Sequence, residues 1–196
     1  MPSARRSFTR AELESFRDAE VPDLLPGRGQ ELRLLFVGIN PGLWTAATQT
    51  HFAHPGNRFY PALLRAGILT RAVDPAAGMT DEDREHLRER GIGITNLVRR
   101  ATARADELTA DELREGGERL LATIASTRPA VVAVAGITAY RQAFGVRKAQ
   151  TGEQPEPVEG ARLWVVPNPS GLNAHETVDS LAVAYAEPAR AAGLLD

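Results

Sequence analysis

A chain of 196 residues with 43% apolar side chains is the size of one domain with an ordinary core. A net charge of −2 offers no overall basic excess, so any contact with nucleic acid must rest on a local patch. Cysteine is absent, which excludes disulfides, thiolate nucleophiles, sulfur-rich zinc sites and cysteine-bound iron–sulfur clusters.

The four histidines show no HExxH-type pairing, so neither a metal nor another cofactor is expected. No apolar run approaches the ~18–20 residues that span a bilayer, and no membrane contact is expected. Met1 to Arg10 carries arginines but no apolar stretch follows them, which argues against a secretory leader and for a cytoplasmic location.

Taken in chain order, Thr9-Arg-Ala-Glu12 is a capping-box pattern that opens a short helix through about Glu20. Pro22, Pro26, Gly27 and Gly29 then break the chain, and residues 1–30 read as a peripheral segment ahead of a single domain over 31–196. Leu32–Ile39 is an apolar run bounded by turn residues, the pattern of a buried parallel strand. Asn40-Pro-Gly42 ends it, and a loop runs on through His51, Phe52, Pro55 and Gly56. Arg58–Gly67 reads as a helix, with Asn57 as cap and Gly67 as stop.

Thr80–Arg90 is a helix with carboxylates at its positive end, and Gly93–Val98 is a second strand. A second capping box, Thr109 to Glu112, opens a helix to about Ser126 with Leu113, Leu120, Leu121 and Ile124 at helical spacing. Ala130–Ala135 is the third strand, Thr138–Phe144 a short helix, and Gln150–Gly160 a polar loop. Arg162–Val166 is the fourth strand, and Thr177–Ala192 closes the chain as a helix. Strands alternating with helices predict a three-layer α/β/α sandwich around a four-stranded parallel sheet. Ligands of such sheets bind beyond the carboxyl ends of the strands. Those ends carry Asn40, Asn96 and Asn168 here.

Taken alone, Gly38-Ile-Asn-Pro-Gly42 is either a strand-ending turn or a pocket edge that presents Asn40 and nearby backbone groups. It is neither a dinucleotide fingerprint nor a phosphate loop, since it lacks G-x-G-x-x-G and the Walker lysine. Asn168-Pro-Ser-Gly-Leu-Asn-Ala-His175 poses the same choice at the last strand. A hydrolase built on Ser170 fits poorly, because G-x-S-x-G is absent. Two Asn-Pro turns at one sheet edge, with Phe52-Ala-His-Pro-Gly-Asn-Arg-Phe59 between them, form a more specific set.

The segments Gly38–Leu43, Phe52–Tyr60, Gly93–Val98 and Asn168–Leu172 resemble, in order and spacing, those of the mismatch-specific uracil-DNA and thymine-DNA glycosylase family. The resemblance runs from about Leu32 to Tyr185 and leaves out the first thirty residues. It implies a uracil-DNA glycosylase-like fold and a monofunctional enzyme. That enzyme flips uracil, or else thymine or ethenocytosine, out of a G-mismatched duplex and hydrolyses its N-glycosidic bond. The implied partner is double-stranded DNA carrying G·U or a related mismatch, and the implied state is a monomer.

The resemblance also assigns roles. Asn40 stands where other branches carry an aspartate, and its amide oxygen can orient the attacking water. Backbone groups near Ile39 and the Asn168 side chain are the implied donors to the leaving base, Asn168 standing where other branches carry a histidine. Ser170 lies beside them as a substrate-binding residue. Phe52 is either a stacking aromatic for the flipped base or a core phenylalanine. Asn96 positions the water or a phosphate. Gly171 and Leu172 resemble the wedge that fills the vacated stack, the alternative being a leucine tucked under the loop. Asn173, Ala174 and His175 follow where the best-known relative places an arginine, and Asn173 and His175 are candidate DNA contacts. His175 touches phosphate or merely caps the helix. Arg99, Arg100 and Arg104 are candidates for a local basic strip. Two other readings stay open: a uracil-DNA glycosylase of another branch acting on single strands, and a non-catalytic α/β nucleic-acid-binding module.

Overall fold

The structure is a computed structural model and describes residues 7–196. The four apolar runs become β1 (Leu34–Gly38), β2 (Ile92–Asn96), β3 (Val131–Ala135) and β5 (Arg162–Val166). Between the last two, β4 (Gly152–Glu153) pairs antiparallel with β5 and makes a fifth strand at the sheet edge. The order is β2-β1-β3-β5-β4, and the first four are mutually parallel. The expected α/β sandwich is therefore present, with one short strand added. Two residues inside a polar, proline-containing loop carry no alternation from which a strand can be read.

Alternation along each strand builds two cores. Leu34, Phe36, Ile92, Ile94, Val131 and Ala133 face α3 (Phe59–Arg65) and α7 (Val178–Ala191). Leu35, Val37, Val132, Val134, Leu163 and Val165 face α5 (Ala110–Thr127) and α6 (Ile137–Phe144). The chain thus leaves β1 toward one face and β3 toward the other. That divergence opens a crevice at the carboxyl ends of these neighbouring strands, the topological switch point where open α/β sheets bind ligands.

Capping boxes form at Thr9, Thr80, Thr109 and Thr177, including both that the sequence spells with threonine and glutamate. α4 (Asp81–Glu89) lies within the range expected for it. Two further elements differ from expectation. The first helix, α1 (Arg10–Glu14), stops before Glu20, and the chain turns through Asp18 at φ 64. Glu20 then bridges Arg100, while Leu24 and Ile94 exchange two backbone hydrogen bonds. Tertiary pairing has overridden the helical continuation. Secondly, α2 (Leu43–Thr48) occupies the stretch read as loop, where Leu43 and Ala46, three apart, are buried together with Val21 and Ala101. Six residues are too few for a periodic signal.

Among the described residues no helix is long and apolar enough to cross a membrane.

Candidate active site

A cleft of about 870 Å³ opens at the switch point. Gly38, Asn96 and Ala135 line it from the ends of three strands, and Ile39, Asn40, Phe52, Asn168, Ser170, Gly171, Leu172 and Asn173 come from the loops beyond. Of the residues singled out in the sequence, His175, Arg99 and Arg100 are not on the cleft wall; the His175 backbone N–H donates to Asn173 Oδ1 at 3.3 Å.

Of the five asparagines that line this cleft, the three at the strand ends, Asn40, Asn96 and Asn168, each have one end of the amide committed elsewhere. Asn40 Nδ2 donates to Arg100 O at 3.0 Å and to Thr102 Oγ1 at 2.8 Å, with Pro41 O also near at 3.2 Å. The Thr102 hydroxyl spends its own proton on Arg104 O at 2.7 Å, so it can only accept from Asn40. The Asn40 amide therefore keeps its nitrogen inward and offers its oxygen, an acceptor, to the cleft.

Asn96 is oriented through His51. The buried imidazole donates Nε2–H to Pro22 O at 2.9 Å, which leaves Nδ1 bare to accept from Asn96 Nδ2 at 3.1 Å. Asn96 too presents an acceptor. Burial pushes the His51 pKa below its ordinary value, with the Pro22 carbonyl and Asp23 opposing, and keeps the ring neutral as this chain of bonds requires.

Asn168 is held the other way round. Its Oδ1 accepts from Ser170 N–H at 3.0 Å, so its NH₂ group is left as a donor. Asn173 Nδ2 bonds Asn168 O, and Ser170 Oγ accepts from Leu172 N–H, which closes the loop on itself. The three strand-end asparagines thus present two fixed amide acceptors and one fixed amide donor.

Gly38 makes the assembly possible. A Cβ there would lie 2.4 Å from Asn96 Oδ1 and 3.2 Å from the Phe52 ring, so the close approach needs a residue without a side chain. Phe52 sits at φ 55, a left-handed conformation that costs a phenylalanine of order 1–3 kcal/mol. Its ring stacks on Phe59 at 4.0 Å between centroids and also lines the cleft. Core packing and cleft exposure, posed as alternatives by the sequence, coexist in this one ring. Leu172 is 88% exposed at the cleft mouth rather than tucked under its loop.

The candidate basic strip is internally neutralised. Arg99 pairs with Asp23, Arg100 with Asp18 and Glu112, and Arg104 with Asp106. The Arg100 guanidinium, with the Thr109 backbone N–H, holds the Glu112 carboxyl down to about 2. Asp106 is the only carboxylate lining the cleft among the described residues, and it stands exposed at the rim.

Sequence reasoning did not find Thr102, Trp44 or Leu13, all of which line the cleft. Thr102 lies in an arginine- and alanine-rich stretch, and its bond to a residue 62 positions away leaves no local trace. Trp44 is fixed by Nε1–H donating to Ala76 O, and Phe8 meets its ring edge-on at 4.9 Å. Leu13 brings the N-terminal segment to the rim.

A family model described as the Uracil DNA glycosylase superfamily matches residues 26–187. The match spans most of the chain, which therefore belongs to that superfamily. Membership makes it a uracil-DNA glycosylase by class, a hydrolase that acts on DNA in repair.

Two consequences follow from the geometry. Thr102→Val keeps the side-chain shape but leaves Asn40 without a hydroxyl partner. Loss of one such bond should slow single-turnover base release about 10-fold with duplex affinity little changed, and Thr102→Ser should restore the rate. His51 predicts a pH effect. Its folded pKa is depressed below the ordinary 6.5, so the unfolded chain takes up the proton first as pH falls. Stability should be full above pH about 6.5 and decline below it, toward the depressed value. Melting temperatures across pH 5–8 check this, and a His51→Gln variant should lose that part of the slope.

Proposed function

We propose that the chain excises uracil opposite guanine in duplex DNA. The uracil nucleotide turns out of the stack, and its base enters the cleft against Phe52. The C1′–N1 bond breaks, and its electron pair leaves on the uracil as a stabilised anion. Water oxygen bonds C1′, and the proton it gives up finally neutralises the departed base.

The observation that carries this reading is the division of amide ends. Asn40 offers an acceptor suited to orienting water. Asn168 offers a donor suited to the charge developing on uracil O2. Asn96 offers an acceptor suited to the N3–H of the same ring. Among the described residues no ionisable side chain bonds Asn40, so the chemical step is slow, and selectivity rests on which bases can be extruded. A G·U pair yields its base more readily than a Watson–Crick pair, because unpairing costs least at a mismatch. Leu172, exposed at the mouth, suits the wedge that fills the gap left behind.

Single-turnover base release from G·U, A·U and G·T duplexes and from single-stranded uracil DNA tests the proposal. The expected order places G·U first by at least ~10-fold. Equal rates on single strands and on G·U would assign the chain to another branch of the superfamily. No base release from any of the four would leave a non-catalytic module.

A further inference from the structure

We infer that Arg58 is the positioning residue that holds the Leu172 loop rigid enough to act on duplex DNA. The inference rests on the wedge reading of Leu172. Arg58 opens α3 and is bonded to the loop across the cleft at three carbonyls. Its backbone N–H donates to Pro169 O at 3.0 Å. Its Nη1 donates to Ser170 O at 3.2 Å and to Asn173 O at 3.1 Å. The bonded carbonyls bracket Gly171 and Leu172 on both sides. Arg58 itself is half-buried and is not among the residues lining the cleft.

A second contact locks the same two loops. A Cβ on Gly171 would lie 2.6 Å from Gly56 O, so the backbones meet with no room for a side chain. The loop's own bonds, Asn173 N–H to Ser170 O and Leu172 N–H to Ser170 Oγ, shape its turn but tie it to nothing outside. Anchorage to the scaffold at the wedge is therefore supplied by the Arg58 guanidinium and the Gly56–Gly171 contact. An apolar side chain that must unstack base pairs delivers its effect only if its backbone does not yield. Without anchorage, each encounter would also have to order the loop. One guanidinium nitrogen reaches both carbonyls through its two N–H groups, and it lies one bond further along the side chain than a lysine ammonium would.

The test is a double-mutant cycle on G·U duplex under single-turnover conditions, using Arg58→Ala, Leu172→Ala and the pair, with single-stranded uracil DNA as control. Leu172→Ala should lose at least ~10-fold on duplex and far less on single strands. Arg58→Ala should lose about 5–10-fold on duplex, again with little change on single strands. The double variant should be no slower than Leu172→Ala alone, since both act through one side chain. Arg58→Lys keeps the charge on a side chain one bond shorter, which cannot reach both carbonyls, and should behave like Arg58→Ala. Additive losses in the double variant would overturn the inference. So would equal losses on both substrates, or full activity in Arg58→Lys, which would make Arg58 a simple phosphate contact. If Leu172→Ala itself spares the duplex reaction, the wedge reading fails and the inference falls with it. If Leu172→Ala is slow and Arg58→Ala is not, the inference alone fails.

Discussion

Asn40→Ala is expected to slow uracil release from a G·U duplex by roughly 10²–10⁴-fold while duplex binding persists. The size follows from what the side chain does in the proposed reaction. Its nitrogen is spent on Arg100 O and Thr102 Oγ1, so its oxygen is left to hold a water. Alanine removes that acceptor and strands the Thr102 hydroxyl and the Arg100 carbonyl without their donor. Water can still reach C1′, but it arrives unoriented, and the lost effective concentration appears in the rate rather than in the affinity. Single-turnover rates and a parallel binding titration separate the two. Near-normal release by Asn40→Ala would remove this residue from the mechanism.

The second large effect is expected for Asn168→Asp, at roughly 10²–10³-fold or more on the same substrate. The substitution is nearly isosteric, and a carboxylate oxygen can still accept from Ser170 N–H as Asn168 Oδ1 does. The turn should therefore survive, with a melting temperature close to that of the parent. The donor does not survive. Where an NH₂ faced the cleft, an anion would now face the negative charge that grows on the departing uracil. Loss of a preorganised donor is compounded by like-charge repulsion in a partly dehydrated site. Asn168→Ala removes the donor without adding the charge and should be the less impaired of the two. Should the aspartate variant release uracil at the parent rate, the leaving base must find its stabilisation elsewhere.

The three asparagines were legible in the sequence because each punctuates the end of an apolar strand, where proline or a polar run stops the ladder. Their orientation was not. Which end of an amide faces the cleft depends on Thr102, on His51 and Pro22, and on Ser170. Of these only Ser170 is a near neighbour in the chain. The same limit explains the elements that differed. α2 is too short to show a period, β4 is a two-residue edge, and α1 ends because Glu20 finds Arg100 instead of another helical turn. The sheet itself was readable, since its buried strands are written as unbroken apolar runs such as Val131 to Ala135. Arg99 and Arg100 looked like part of a basic strip because their counterions, Asp18, Asp23 and Glu112, lie on other segments.

The central claim is that fixed amides, and no ionisable base, direct the attack on the sugar. The pH dependence of single-turnover uracil release from a G·U duplex tests it most directly. Amides do not titrate, and His51 is held neutral above pH about 6.5. The rate should therefore be level from about pH 7 to 8.5, with any decline confined to the acid side where His51 takes up a proton. A rate that climbs close to tenfold per pH unit through neutrality would reveal a titrating base and contradict the account.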